Sequence, residues 1–417
     1  MHPMVKPALR RAWRSLRRVQ FGVTPAHAVV LDPVDQDTEA LLGLLDGTRG
    51  TELLRAEARA RGLPDGRLDA LVRRLASAGL LADAGAGRPG RTGPAAGAVD
   101  TALDPLRADL ASLSVVHPEP ERAVRILVAR RALRVQVRGA GRVGATVAAL
   151  LSAAGVGMVE VVDSGRVEPW ETAPGGLSAE SVGERRATAA RRMVGRWRPG
   201  RGGPGSSSGA GSSRGAGSSS GAASGGRSGR GSSSTSSAAG RSGAGEGPGG
   251  VGVSLVVVTP RDGLGAYVPD PVPAERWIAT GTPHLYAGVL EATGTVGPLV
   301  LPGGTACARC LQEARTDREP VWPRLLAQWR SGAPHPLPAC DLGLATAVAG
   351  LAAAHALAFL DGDLPASTGT RWEASLPVLE WRAERLEPHP ACPCGAARGR
   401  EGVRASAAGG AQDTMAG

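Results

Sequence analysis

The sequence predicts an α/β protein with a small α+β unit in front of it, and three observations carry that prediction. Residues 134–163 run as apolar strand, glycine-rich turn, helix and second strand ending on an acid. Residues 19–84 read as two short strands followed by three helices. Two close-set cysteine pairs, Cys307/Cys310 and Cys392/Cys394, lie far apart in the chain, which is a pattern that one tetrahedral zinc ion can close into a clasp.

Residues 8–18 are a basic stretch expected to be a solvated, frayed arm. Apolar residues at 19–23 and 28–31 flank Thr24, Pro25, Ala26 and His27, a hairpin signal. A helix is expected over 38–45, stopped by Asp46 and Gly47. A second is expected over 51–61, with Thr51 as N-cap and Gly62 as its stop. A third, over 67–81, has Leu68, Leu71, Val72, Leu75 and Leu80 at helical spacing. A strand pair with three helices is a winged-helix-like pattern, so residues 1–98 form an N-terminal module and linker. The second domain takes 99–198 and 251–395. It opens with a helix near 106–113 and a strand near 124–128. Residues 199–250 are almost wholly Gly, Ser, Ala and Arg. They bury too little apolar surface to offset the entropy of ordering, so a disordered insert is expected. Strands should resume at 255–258, 282–289 and 296–301. An Ala/Leu core helix covers 342–360, a strand pair 371–384, and a disordered tail 396–417.

Composition removes several classes of function. The net charge of +10 would suit nucleic acid, yet every basic residue except Lys6 is arginine. No basic run is interleaved with aromatics as in single-strand binders, and aromatics are 3% of the chain. Nucleic acid is therefore not the expected partner, although Arg67, Arg73 and Arg74 on the third helix leave a DNA-binding reading open. No segment reads as a membrane span or a signal sequence. A cytoplasmic location is expected, where cysteines serve as metal ligands more often than as disulfides.

The sharpest motif is Gly139-Ala140-Gly141-Arg142-Val143-Gly144 after an apolar strand. Gly139 permits the tight turn, Gly141 lets phosphate approach the backbone, and Gly144 lets helix and strand pack closely. The next helix, expected over 145–154, presents N–H groups and a positive dipole end to an anion. Asp163 ends the second strand about 20 residues on, where an acid accepts from a ribose hydroxyl. The unit is Rossmann-like. A nicotinamide dehydrogenase would share it, but no catalytic constellation for that chemistry accompanies the loop.

The glycine loop and the segments after it resemble the ThiF / ubiquitin-activating-enzyme family. The matching residues are the glycine loop and its helix, Gly155-Val156-Gly157, Val162-Asp163 with Val167-Glu168, Val182-Gly183-Glu184-Arg185-Arg186, and Cys307-x-x-Cys310. The resemblance covers about residues 134–395 apart from the insert. It implies ATP phosphates over Gly139, Gly141 and Gly144, ribose on Asp163, magnesium, a peptide or small-protein carboxylate as the group adenylated, and a homodimer. The sequence also departs from the family. After Val167-Glu168 the family carries Asn and Arg-Gln, where this chain has Trp170-Glu171-Thr172-Ala173-Pro174. The family's lysine falls on Arg186, and its magnesium-associated acid falls at best on Asp262, so Arg186 and Asp262 are the candidate catalytic residues.

Cys307, Cys310, Cys392 and Cys394 are the expected zinc ligands. The second pair is more tightly spaced than usual, and His389 is an alternative ligand. Cys340 is read as a buried thiol ahead of the Ala/Leu helix. The N-terminal unit resembles PqqD-like leader-recognition modules through Phe21-Gly22-Val23-Thr24-Pro25, Leu44-Leu45-Asp46-Gly47-Thr48 and Leu75-Ala76-Ser77-Ala78-Gly79-Leu80-Leu81. Such modules add a peptide as a strand at a sheet edge. Joined to a ThiF-like domain, this is similar to the partner proteins of azoline-forming cyclodehydratases, in which a YcaO-type partner uses the ATP. Two hypotheses stand: an active adenylyltransferase on a peptide or protein carboxylate, and a scaffold that delivers a peptide to a partner enzyme.

Overall fold

The computed structural model describes residues 1–85, 103–199, 252–331 and 337–398. The linker expected at 85–99, the insert at 199–250 and the tail beyond residue 398 lie almost wholly outside the described residues.

The N-terminal unit is a small α+β structure. β1 (Pro3–Val5) pairs with β5 (Leu81–Asp83), and β2 (Arg11–Ser15), β3 (Arg18–Phe21) and β4 (Val29–Leu31) form an antiparallel sheet in that order. Between them lie α1 (Gln36–Leu44), α2 (Thr51–Ala60) and α3 (Arg67–Ser77). Val19, Phe21, Leu31, Leu41, Leu54 and Leu75 form its core. The hairpin and three helices stand close to where the sequence pattern put them, except that α3 ends at Ser77 and Leu81, expected in that helix, opens β5. The basic arm does not: β2 is laddered onto β3, with Trp13 opposite Val19. All five of its residues are exposed, so backbone pairing holds it, and a search for buried apolar periodicity has nothing to detect. Thr51 is the first residue of α2, whose N-cap is Gly50 with no side-chain cap. Lys6 is 1% exposed and donates from Nζ to His117 O at 2.9 Å. Burial lowers its pKa and the charge of Glu119 opposes that.

The second unit begins with α4 (Arg107–Val116) and α5 (Arg122–Arg130). The strand expected near 124–128 is instead a helix that buries Ala123, Ile126, Leu127 and Arg130, spaced i, i+3, i+4 and i+7. A short apolar run fits either period, and the expectation took the wrong one. Arg130 shows how this helix is locked in place. It donates from Nε to Asp361 Oδ1 at 2.8 Å, from one terminal nitrogen to Asp361 Oδ2 at 2.6 Å, and from the other to Ala154 O at 3.0 Å. Both side chains of the pair are nearly inaccessible. Asp361→Ala should cost about 3–5 kcal/mol, because it strands a buried cation. Urea unfolding would measure the cost, and a loss below about 1 kcal/mol would show that the pair is not holding α5.

The rest of the second unit is built on a seven-stranded mixed sheet. Its strands are β6 (Arg134–Arg138), β7 (Met158–Val162), β8 (Leu255–Val258), β9 (His284–Leu290), β10 (Thr293–Val300), β11 (Thr370–Ser375) and β12 (Arg382–Arg385), in spatial order β12-β11-β10-β9-β8-β6-β7. β7, β6, β8 and β9 are parallel and the remaining pairs antiparallel. α6 (Arg142–Ala153) connects β6 to β7, and α7 (Arg186–Trp197) precedes β8. The chain thus leaves β6 toward one neighbour and returns on its other side. That switch opens a crevice at the carboxyl ends of β6, β7 and β8.

One sheet face is covered by α6 and by α12 (Leu342–Leu360), with Val135, Val137, Leu255, Leu285, Ala345, Val348 and Ala352 in one core. α12 has the length and apolarity of a membrane span, but Leu344, Ala345, Val348, Ala349, Ala352, Ala353 and Ala356 are buried, nearly all of them in that core. The opposite face carries α8 (Leu264–Tyr267), α9 (Pro271–Ala279) and α10 (Ala308–Arg318), with Val256, Ala274, Trp277 and Ala308 packed together. α11 (Trp322–Ser331) packs Trp322 and Leu326 on Val268.

Candidate functional site

The glycine loop joins the end of β6 to α6 at the mouth of the crevice. Gly139 N donates to Val162 O, and Thr259 N donates to Arg138 O, so the loop hangs between the ends of β7 and β8. Gly139 has φ +111°, and a Cβ there would fall on Thr259 O and lie 2.7 Å from its carbonyl carbon. A Cβ on Gly144 would overlap Gly139 O and sit 2.9 Å from the carbonyl carbon. Gly141 differs. Its φ is −73°, and the nearest atom to an added Cβ is Arg261 Cγ at 3.4 Å, ordinary contact. Packing therefore demands glycine at 139 and 144 and does not demand it at 141. Gly141 is also the N-cap of α6, and no side chain caps that end, so the first N–H groups of the helix have no side-chain acceptor there.

Asp163 sits beside the loop, but its oxygens are engaged. Oδ2 accepts from Ala140 N at 2.6 Å and Oδ1 from Arg186 Nε at 2.8 Å. Arg186 is 8% exposed. It donates further to Arg166 O at 2.6 Å, to both oxygens of Glu171 and to Ser164 O. Burial disfavours its charge, yet the hydrogen bonds and charges of Asp163 and Glu171 prevail and raise its pKa. Glu171 is 1% exposed and also accepts from Glu168 N at 2.9 Å and from Arg261 at 3.4 Å. Asp262 is exposed, and its Oδ1 accepts from Leu264 N at the start of α8. The structure thus brings the three glycines, Asp163 and Arg186 together and leaves Asp262 at the solvent edge. Glu171 and Arg261 were not singled out from sequence. Glu171 lies in the stretch that departs from the family pattern, and Arg261 directly precedes Asp262.

The four cysteines converge at another place on the sheet. Cys307 is the N-cap of α10 and Cys310 lies one turn on, while Cys392 and Cys394 arrive after β12. All four Sγ atoms lie within 4.8 Å of one another. Neighbouring pairs are at 3.7 Å (Cys307–Cys310), 3.6 Å (Cys307–Cys392) and 3.5 Å (Cys310–Cys394). Zinc–sulfur bonds of ~2.3 Å in a tetrahedron place sulfurs about 3.8 Å apart, so the donor set fits a zinc ion. The hydrogen bond from the Cys307 thiol to Cys310 Sγ lowers the pKa of Cys310 and raises that of Cys307. His389 is outside the cluster, bonded to Asp317 at 2.8 Å. Cys340 is apart from it and half-buried, and burial raises its pKa.

Residues 125–201 and 269–394 match the ThiF family. No curated protein matches the chain. Among solved structures it is similar to E. coli MccB with AMPCPP and MccA, at 12% identity and a TM-score of 0.60, covering 95% of this chain and 100% of that one. It is also similar to the microcin C7 biosynthetic enzyme MccB in complex with N-formylated MccA, at 13% identity and a TM-score of 0.57, with the same coverage. The heterocyclase TruD matches at 16% identity and a TM-score of 0.54, over 97% of this chain and 44% of that one. With a seven-stranded mixed sheet, a glycine loop at its switch point and a clustered cysteine set, the fold agrees with that match, and residues 125–201 and 269–394 are the ThiF-type part of the chain.

Proposed function

We propose that this chain binds ATP at Gly139–Gly144 and activates the C-terminal carboxylate of a peptide that its N-terminal unit holds. The observation that carries the reading is Gly141. The fold does not require glycine there, and close approach of a phosphate to backbone does. The uncapped α6 end supplies N–H groups and a positive dipole end to the same place. MccB, which matches along its whole length with the N-terminal unit included, is solved with AMPCPP and MccA together. β2 is an exposed edge strand of the N-terminal sheet and offers the unpaired backbone edge that strand addition needs. As in other acyl activations, a carboxylate oxygen would bond to the α-phosphorus while the bond to pyrophosphate breaks. The chain's part is to hold the phosphates and exclude misplacement of the peptide end. The zinc clasp is structural, since four thiolates leave no open position.

The closed Asp163–Arg186–Glu171 network favours a second reading. These groups already satisfy one another, as in a scaffold that holds a leader peptide for a separate cyclodehydratase partner, and the TruD likeness suits that context. Calorimetric titration of the full chain with Mg-ATP separates the two. The parent should bind with a Kd below about 1 mM, the upper range of substrate KM values, and Gly141→Asp should abolish binding, because a carboxylate would then face the phosphates. Binding should be accompanied by peptide-dependent pyrophosphate exchange. Heat-silent titration of the parent up to millimolar ATP would leave the scaffold reading standing.

A further inference from the structure

Resting on the nucleotide reading above, we infer that the phosphates at the glycine loop are neutralised by the Arg261 guanidinium rather than by a carboxylate-held divalent cation. The carboxylates around the loop are committed. Asp163 takes the Ala140 N–H and Arg186 Nε. Glu171 takes Arg186, the Glu168 N–H and Arg261. Glu168 caps the short turn Pro169–Glu171 with its side chain. Asp262 is turned to solvent and caps Leu264 N. Within the cluster the acids Asp163 and Glu171 are matched by the cations Arg186 and Arg261. A magnesium ion, which binds through one or two carboxylates and waters, meets no uncompensated charge on these two buried acids. The donor set does not fit it.

Arg261 fits the opposite role. Its Cα, Cβ and Cγ line the open side of Gly141 at 3.4–3.8 Å from where a Cβ would stand, so its stem runs along the face a phosphate would approach. Its side chain is 34% exposed. Among the described residues its one partner is Glu171, at the long distance of 3.4 Å. A guanidinium carries five N–H donors in a fork that suits phosphate oxygens, so most of its donors remain uncommitted. Arg186 cannot substitute, because its donors are spent on Asp163, Glu171, Arg166 O and Ser164 O. The Arg142 guanidinium is directed to Cys340 O at 2.7 Å.

The test is calorimetry of the full chain with ATP, once with excess EDTA and once with magnesium. The parent should bind with closely similar Kd in both, within about threefold. Arg261→Ala should weaken binding about tenfold or more, the range of a lost charge-assisted hydrogen bond, and Arg261→Lys should recover part of it. Thermal melting of each variant guards against misfolding, and Arg261 is exposed enough for replacement to leave the fold intact. Binding that appears only with magnesium, or that is unchanged in Arg261→Ala, overturns the inference and leaves the nucleotide reading intact. A parent that fails to bind while Arg261→Ala binds overturns it too, and makes Arg261 a plug over the loop. Failure of parent and variant alike, with and without magnesium, removes the nucleotide reading itself.

Discussion

Replacing Cys310 by serine is expected to release one zinc ion per chain and to lower the melting temperature by on the order of 10 °C, at roughly 2–4 °C for each kcal/mol lost in a chain of this size. Cys310 is central to the cluster: it contacts Cys307 at 3.7 Å and Cys394 at 3.5 Å, so it joins the helix-start pair to the late pair. The late pair comes after β12, at one edge of the sheet. In the small core around the site, Tyr286, Val300 and Ala306 pack with Cys307, Cys310 and Cys392. Without a metal that core must bury thiols with no other role. Binding of a structural zinc is itself folding free energy, so losing the ion costs the chain several kcal/mol. Elemental analysis of purified, reduced protein gives the stoichiometry, and a melting curve gives the stability. Cys340→Ser is the control, since Cys340 lies outside the cluster. Parent protein without stoichiometric zinc, or a Cys310→Ser variant that keeps it, would remove the clasp.

The two cysteine pairs were legible in the sequence because short spacing within each pair survives as short distance in space. The glycine unit was legible for a similar reason, since strand, turn, helix and acid are local and each leaves its own residue signature. α12 was predicted over the residues it occupies, because an Ala/Leu run whose only polar side chains are Thr346 and His355 has only one good use here. The features that escaped notice depended on partners distant in the chain. Asp163 has the right place, but its partner Arg186 lies 23 residues on, and nothing in either position announces the bond. Glu171 and Arg261, 90 residues apart, meet only because β8 is parallel to β6. The exposed strand β2 and the helix α5 escaped for other reasons: one buries nothing, and the other is too short for its period to stand out.

The same geometry decides how the three loop glycines should respond to alanine, and the responses should split. Gly139→Ala places a methyl on Thr259 O at φ +111°. The backbone of one strand end meets the backbone of another, so no flexible side chain can give way. Strain at such a φ costs about 1–3 kcal/mol and overpacking about as much again. The total of about 2–6 kcal/mol is a large share of the stability of a typical protein, about 5–15 kcal/mol. Gly144→Ala should behave alike, since its methyl overlaps Gly139 O and the Thr259 hydroxyl that binds it. Gly141→Ala should change stability by no more than about 0.5 kcal/mol, because φ −73° suits any residue and the nearest atom belongs to an arginine stem. Its expected effect is on ATP affinity, which should fall when a methyl stands where the phosphates approach. Denaturant unfolding and calorimetry on the three variants read the two effects separately. Should alanine at 141 prove as destabilising as at 139 and 144, the middle glycine belongs to the packing as well, and the loop loses the one feature that distinguishes a binding site from a fold element.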